Sequence, residues 1–389
     1  MSEWLNVKLN TVTSYIKRGV SPKYVETVGY TIINQKCIRD NRVTYENSKL
    51  LNKTQKIVKE KYLQDGDVLV NSTGTGTLGR VAQYKEIEER VFCDSHVSIV
   101  RANELINKKF LSYYLSYSEP MIETYGKGAT NQKELSPYDL GLIKINLPPL
   151  PTQQKIAKIL SYYDDLIENN LKCIKLLEES ARLTYEEWFL RFRIDGKELD
   201  INPDSGLPLG WELVKVGSLL QRIKNTVKIK SSEILESGKN PVIDQGADFI
   251  SGYTNEANIN QFNDTPFIVF GDHTRILKFV NFSFARGADG TQILISNNKR
   301  MPQTLFYHSL KALNLSNYYY ARHYKFLKEE KVILPTETVS TAFNNKCIII
   351  FEQIKNLRNQ NRLLMEARDI LLPRLMTGII DTKKMSITI

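Results

Sequence analysis

Two stretches of the chain repeat apolar residues at helical spacing, and each follows a region of short alternating runs. In the first stretch, Ile156, Ile159, Tyr163, Leu166, Ile167, Ile174, Leu177, Ala181 and Trp188 mark one helix face. A helix is expected there from an N-cap at Thr152 to about Phe192. In the second, Phe343, Ile350, Leu357, Leu364 and Leu371 recur every seventh position in a helix expected over 338–376. Adding 187 to Ile156 and Tyr163 lands on Phe343 and Ile350. A heptad held this long predicts a coiled-coil seam between the two helices. Asn170 and Asn361 fall on the apolar stripe, where a buried polar residue serves to fix register. The preceding regions carry strand-like runs, GDVLVN, HVSIV and LIKINL in the first, TPFIVF and TQILI in the second, each broken by Gly, Asn and Ser. A Leu-Pro pair, Leu147-Pro148 or Leu334-Pro335, stops the last strand of each.

This plan is one unit used twice. WLNVKLNTVTSYIK from Trp4 matches WELVKVGSLLQRIK from Trp211 at an offset of 207. Gly76 and Arg80 pair with Gly271 and Arg275 at 195, and Leu147-Pro148 with Leu334-Pro335 at 187, so the offsets fall along the chain. The expected class is α+β, with two similar α/β domains over 1–147 and 211–335 and an internal pseudo-two-fold repeat. Helical regions are expected over 148–193 and 336–380, with a turn-rich linker at 194–210 and a tail at 381–389. Antiparallel packing of helices about 40 residues long makes a rod of about 60 Å with one domain at each end.

Composition and charge narrow the function. Of 389 residues, 42% are hydrophobic and 25% charged, an ordinary globular balance. No run approaches 18 apolar residues, and the N-terminus lacks a signal-peptide pattern, so a cytoplasmic protein is expected. Four scattered cysteines and four histidines form no CxxC or HExxH spacing, so neither a disulfide framework nor a metal site is expected. The net charge is +10, and residues 1–147 and 201–335 hold +5 and +4 of it. That distribution favours two separate contacts with a polyanion.

Catalytic motifs are missing. Gly74-Thr75-Gly76-Thr77-Leu78-Gly79 is formally GxGxxG, but Arg80-Val81-Ala82-Gln83-Tyr84 reads as strand or loop where a dinucleotide site needs a helix. Asn202-Pro203-Asp204 is not an amino-methyltransferase motif, and no Walker loop or nucleophile elbow is present. The glycine loop suits close backbone approach to a ligand, and its hydroxyls suit phosphates or base edges. Gly126–Lys133 has the same character, with Asn131, Gln132 and Lys133 able to read bases. In the second half, GDHTRILKF clusters His273, Thr274, Arg275 and Lys278, and Gln292 follows the Gly287–Gly290 turn. Thr73, Thr75, Thr77, Arg80, Asn131, Gln132 and Lys133 are the candidate DNA contacts of the first domain. Tyr253, His273, Thr274, Arg275, Lys278 and Gln292 are those of the second. Ile156, Tyr163, Ile167, Leu177, Phe343, Ile350, Leu357, Leu364 and Leu371 are the candidate helix-helix interface. No catalytic, cofactor-binding or metal residue is expected.

GLIKINLPPLPTQQKIAKIL followed by a long helix resembles the central conserved region of type I restriction-modification specificity subunits. GDVLVNSTGTGTLGRV and GKGATNQKELS resemble segments of that family's first target-recognition domain, and GDHTRILKFVNFSFARGADG resembles a second-domain variant. The second helix departs from the pattern, since ILPTETVSTAF lacks the Gln-Gln of the first. The resemblance implies a non-catalytic subunit whose two target-recognition domains each read half of an asymmetric, bipartite sequence in double-stranded DNA. It implies two modification subunits using S-adenosylmethionine, and restriction subunits using ATP and Mg, with none of these cofactors on this chain. Rival readings are an orphan specificity-like regulator without catalytic partners, and a scaffolding coiled-coil protein.

Overall fold

Each half of the chain opens and closes on the same two-stranded ladder. In the computed structural model, which describes residues 4–86, 90–128, 133–223, 227–256, 266–288, 290–315 and 322–382, β1 (Leu5–Lys8) begins the first domain. It is followed by β2 (Thr13–Arg18), β3 (Tyr30–Ile33), β4 (Lys49–Leu51), β5 (Val68–Asn71), β6 (Val81–Gln83), β7 (Phe92–Cys93), β8 (Val97–Ala102), helix α1 (Lys108–Tyr117) and β9 (Lys144–Leu147). The long helix α2 (Leu150–Tyr185) follows, ending in a π-turn over Glu186–Leu190. The second domain runs β10 (Glu212–Lys215), β11 (Asn240–Ile243), β12 (Gly252–Thr254), β13 (Phe267–Gly271), β14 (Leu277–Val280), β15 (Ala285–Arg286), β16 (Thr291–Leu294), helix α3 (Gln303–Lys311) and β17 (Lys331–Leu334). The last long helix is α4 (Glu337–Met376). Shorter strands and turns lie between these elements.

The repeat extends to topology, with fewer strands in each sheet of the second domain. β1 pairs antiparallel with β9, and β10 with β17. In the first domain the central sheet has the order β2-β8-β5-β6; in the second, β14-β13-β16 repeats three of those strands. Leu220 bridges Ser296 where β2 begins its pairing with β8 in the first domain. A second sheet joins β7 parallel to β3, and β15 parallel to β11. The buried runs VLVN and FIVFG form the sheet centres, because both of their faces are covered. Strands end at Leu147 and Leu334, as the following prolines require, since each lacks an N–H for a ladder.

Thr152 is not the cap expected. The helix already begins at Leu150, and the Thr152 and Gln153 N–H groups donate to Pro149 O. The residue that fixes this junction is buried Gln153. Its Oε1 accepts from Asn107 N (2.8 Å), and its Nε2 donates to Pro148 O (2.9 Å) and Leu105 O (3.2 Å). Ser340 occupies the matching place in α4, and Pro302 matches Asn107. Pro302 has no N–H, so a glutamine would lose its donor there. Arg300 replaces the whole arrangement, donating to Pro335 O (2.7 Å), Gly210 O (3.0 Å) and Leu334 O (3.1 Å) and pairing with Glu212 (2.7 Å). The missing Gln-Gln of the second helix therefore has a local cause.

The chain falls into two compact units, 1–168 with 361–389, and 169–360, so both long helices cross the boundary. Within each unit the helix segments run antiparallel. In the first, Asp164 pairs with Arg368 (2.7 Å) and Ile167 O accepts from Asn361 (3.5 Å). Ile156, Ile159 and Leu160 share the core of the first domain with Leu375 and Met376, and Tyr163 and Leu371 pack against it. In the second unit, Asn170 donates to Gln360 (3.0 Å) and Glu178 pairs with Arg358 (2.9 Å). There Phe343 lies in a core with Tyr185, Trp188 and Phe189, and Leu177, Ile350 and Leu357 pack on it. Ile167 is buried, whereas Leu364 is half-exposed and joins neither core. Leu166, on the expected apolar stripe, is 52% exposed. The 194–210 segment is ordered by a hairpin turning at Asp195 and Gly196, both at positive φ, and Leu207 packs into the second core. No described helix is long and apolar enough to cross a membrane.

Buried His308 on α3 lies among Tyr185, Phe343 and Phe351, with ring centroids 5.8–5.9 Å away. Burial pushes its pKa down to about 3. An unfolded histidine titrates near 6.5. The unfolded state thus binds the extra proton between these values, and stability is lost as pH falls below about 6.5. From pH 7 to 5 this one group is expected to remove about 2 kcal/mol from the second unit. Urea unfolding at both pH values should show that loss reduced in His308→Phe relative to the parent chain; equal losses in both would refute the assignment.

Candidate nucleic-acid interface

In each domain three segments converge beyond the end of the central strand. The first is the loop after β5 or β13. Asn71 N donates to Arg80 O and Gly79 N to Asn71 O (both 2.9 Å). The second domain repeats this closure, with Gly271 N to Ile276 O (2.9 Å) and Arg275 N to Gly271 O (2.8 Å). The hydrogen bonds align Arg275 with Gly79, not with Arg80 as the sequence offset suggests. Both residues have positive φ, +86° for Gly79 and +63° for Arg275. The first loop spans nine residues between its strands and the second five, so a gapless match slips by one.

The second segment is the turn before β8 or β16. Ser72 N donates to His96 O (2.8 Å), and Asp272 N to Gly290 O (2.7 Å). The third follows β3 or β11 and is an Asx turn in both domains. Asn34 Oδ1 accepts from Lys36 N (2.8 Å), and Asp244 Oδ1 from Gly246 N (2.7 Å). Each turn holds a glutamine, Gln35 or Gln245. Thr73 Oγ1 donates to Gln35 Oε1 (3.1 Å) and lies 2.8 Å from His96 Nδ1. Gln245 Oε1 accepts from His273 N (3.1 Å), and its backbone carbonyl accepts from Thr274 Oγ1 (2.8 Å).

The candidate residues divide accordingly. Thr73 and Thr77 are half-buried in the first loop, where Thr77 Oγ1 donates to Thr73 O (3.3 Å); Thr75 is exposed at its tip. Leu78 anchors the loop in the core, and Gly74, Gly76 and Gly79 all take positive φ. A strand, not a helix, follows Gly79. Arg80 is half-buried near Glu119, whose carboxyl burial pushes up against the opposing Val81 N–H and Arg80 charge. Lys133 is exposed beside Glu134, which bridges Thr73. Asn131 and Gln132 lie outside the described residues. In the second domain, His273, Thr274 and Arg275 are exposed together, and Arg275 Nη1 donates to Leu315 O (3.2 Å). Gln292 is half-buried opposite Phe270. Tyr253 stands opposite Pro241, four residues before Gln245, so roughly 13 Å back along the chain.

Lys278 is not a DNA contact. It is 3% exposed, donates to Asp248 O (2.5 Å), and lies 3.8 Å from Asp244. Burial lowers its pKa against the pull of the two aspartates. The strand registers align Lys278 with Ala82, and Asp244 with Asn34. The first domain thus builds its Asx turn with a neutral side chain and needs no cation. The second uses a carboxylate and buries a lysine beneath it.

Sequence reasoning missed Gln35, His96 and Gln245 because their partners are distant in the chain. A local signal exists nonetheless: Ile32-Ile33-Asn34-Gln35 and Val242-Ile243-Asp244-Gln245 repeat at an offset of 210. The offsets therefore rise before they fall.

Residues 1–179 match the family described as Type I restriction modification DNA specificity domain. The Type I restriction enzyme MjaIX specificity subunit of Methanocaldococcus jannaschii is 29% identical over 297 residues, 68% of each chain. The Type I restriction enzyme HindI specificity subunit of Haemophilus influenzae is 21% identical over 97% of this chain and all of that one. The family match thus covers nearly half of the chain, and the relatives similar to it over most of its length are type I specificity subunits. Its fold is that of the crystallised Type-I restriction-modification system S subunit from M. genitalium, with a TM-score of 0.57 at 18% identity, covering 96% of both chains.

Removing the buried lysine should leave Asp244 without its counter-charge. Lys278→Met is expected to cost about 3–5 kcal/mol, and the double change Asp244→Asn with Lys278→Ala, which copies the first domain, to recover part of it. Denaturant titration of the three chains checks this. A double variant no more stable than Lys278→Met would show that the pair does not act as one unit.

Proposed function

We propose that this chain is the DNA-reading, non-catalytic subunit of a type I restriction-modification complex, with each target-recognition domain contacting one half of an asymmetric, bipartite duplex site. The observation that carries this reading is the duplicated three-segment site, built on one backbone plan but presenting different side chains. Two similar platforms suit two half-sites, and unlike side chains suit unlike sequences. The basic surplus of the two domain regions supplies sequence-independent attraction to phosphates. In this reading two modification subunits dock on the helical regions and methylate adenine using S-adenosylmethionine. Restriction subunits contribute translocation and cleavage, with ATP and Mg. This chain contributes position and choice of sequence, and no proton or bond passes through it. The family resemblance supports these partners, and the proposed complex would act in the cytoplasm.

Co-expression with a cognate modification subunit in a methylation-free bacterium should produce N6-methyladenine in one asymmetric motif with a fixed gap. A stable complex that leaves the genome unmethylated, or no complex at all, would count against the proposal. Arg80→Ala should weaken binding to the identified duplex by about 1–3 kcal/mol at fixed salt. Arg275→Gly should do the same while preserving the left-handed backbone; Arg275→Ala would add strain unrelated to DNA. Wild-type affinity for either would remove that arginine from the interface.

A further inference from the structure

We infer that each domain reads its half-site through a glutamine–histidine pair, Gln35 with His96 and Gln245 with His273. This deepens the proposed function and rests on it. The chain has four histidines. His308 and His323 are buried, while His96 and His273 stand in the two converging sites. They do not match in sequence. The hydrogen-bond plan aligns His96 with Gly290, and His273 with Thr73. The imidazole has thus moved from one segment to another between the domains.

Gly290 shows why the swap preserves the site. A Cβ placed there would lie 2.7 Å from His273 Cδ2 and 2.8 Å from both terminal atoms of the Gln245 side chain. The His273 ring and the Gln245 carboxamide therefore fill the space into which a side chain at the His96 position would grow. In the first domain that position carries the imidazole itself, and Thr73 ties it to Gln35. An imidazole and a carboxamide occur side by side in both domains, although only the glutamine comes from the same segment.

These groups suit base edges. A carboxamide offers a donor and an acceptor to adenine N7 and N6, and an imidazole adds one of either kind. The first site also fixes which. Thr73 has one hydroxyl hydrogen, and it goes to Gln35 Oε1. With that hydrogen committed, the 2.8 Å contact with His96 takes Nδ1 as donor, and in the neutral ring this leaves Nε2 as an acceptor. An acceptor there selects an amino group, on adenine or cytosine. In the second site the backbone N–H of His273 serves Gln245, so no threonine sets the tautomer. The two half-sites should differ at the base facing the imidazole.

The test is selection from randomised DNA duplexes by the full chain, purified with its modification subunits. Parent chain, Gln35→Ala, His96→Ala, Gln245→Ala and His273→Ala are compared, with thermal melts to confirm folding. Gln35→Ala and His96→Ala should each lose about 5- to 150-fold of discrimination at a base of one half-site, leaving the other half unchanged. Gln245→Ala and His273→Ala should do so in the other half. Thr73→Val, which retains the imidazole but frees its tautomer, should alter the base facing His96. A parent chain that selects no bipartite motif overturns the proposed function itself. A normal parent motif that all four folded variants keep, or a uniform weakening across all sequences, overturns the glutamine–histidine assignment alone.

Discussion

Each long helix has to satisfy two partners with one apolar stripe: the other helix and a domain core. The seam residues show this directly. Phe343 packs with Tyr185, Trp188 and Phe189, and the same cluster holds Leu294, Leu305 and Phe306 of the second domain. Ile156 and Leu375 share their cluster with Val68, Phe110 and Ile145 of the first. Neither unit would keep its core without the helix segments, and an isolated helix pair would expose much of its apolar face. This is why the compact units cut across the helices. Each unit has its own polar pair on the helix segments, Asn361 with Ile167 O in the first and Asn170 with Gln360 in the second. Asn170 and Asn361 are buried, and a buried polar residue on a helix seam costs stability and holds alignment.

The duplication then shows how much a fold tolerates when backbone contacts are kept. The parallel bridges Val20 to Asp94 and Ile229 to Gly287 are the same contact in two domains, made by unlike residues. The strand-to-helix junction keeps the proline carbonyl as acceptor, Pro148 or Pro335, but changes donor, from Gln153 to Arg300. The Asx turn keeps its geometry while its side chain changes from neutral to charged, and a buried lysine accompanies the change. Compensation of this kind is expected because an unpaired buried charge costs far more than the pair itself is worth.

What could be read from the sequence follows from the range of the interactions. The heptad, the Leu-Pro stops and the doubled plan are local or strictly periodic, and they were legible. The loop residues Thr73, Thr75, Thr77, His273, Thr274 and Arg275 were legible as polar residues just past buried strands. Lys278 was misread because its burial depends on Asp244 and Asp248, some thirty residues upstream. Thr152 was misread because the helix starts one residue before Pro151, which takes an early helical position where its missing N–H costs nothing. The Arg80–Arg275 equivalence failed because loop lengths differ, and only the closing hydrogen bonds reveal the shift. Gln35 and Gln245 carried a four-residue signal, but nothing local linked it to the glycine loop.

The division of labour inside each site follows from these observations. Leu78, Asn71 and the Asx turns face inward or bind backbone, so changes there disturb the platform. Thr73, His96, His273 and Gly290 occupy a layer above it, where residue size can be traded between neighbours. With the imidazole at His273, the neighbouring segment carries Gly290, where a Cβ would meet the ring; with it at His96, the other segment carries Thr73, whose hydroxyl hydrogen-bonds to the ring. Such paired exchange lets the surface of the site change without altering strand register or core volume. A domain built this way can diverge from its duplicate in the side chains it presents while both keep the same backbone plan.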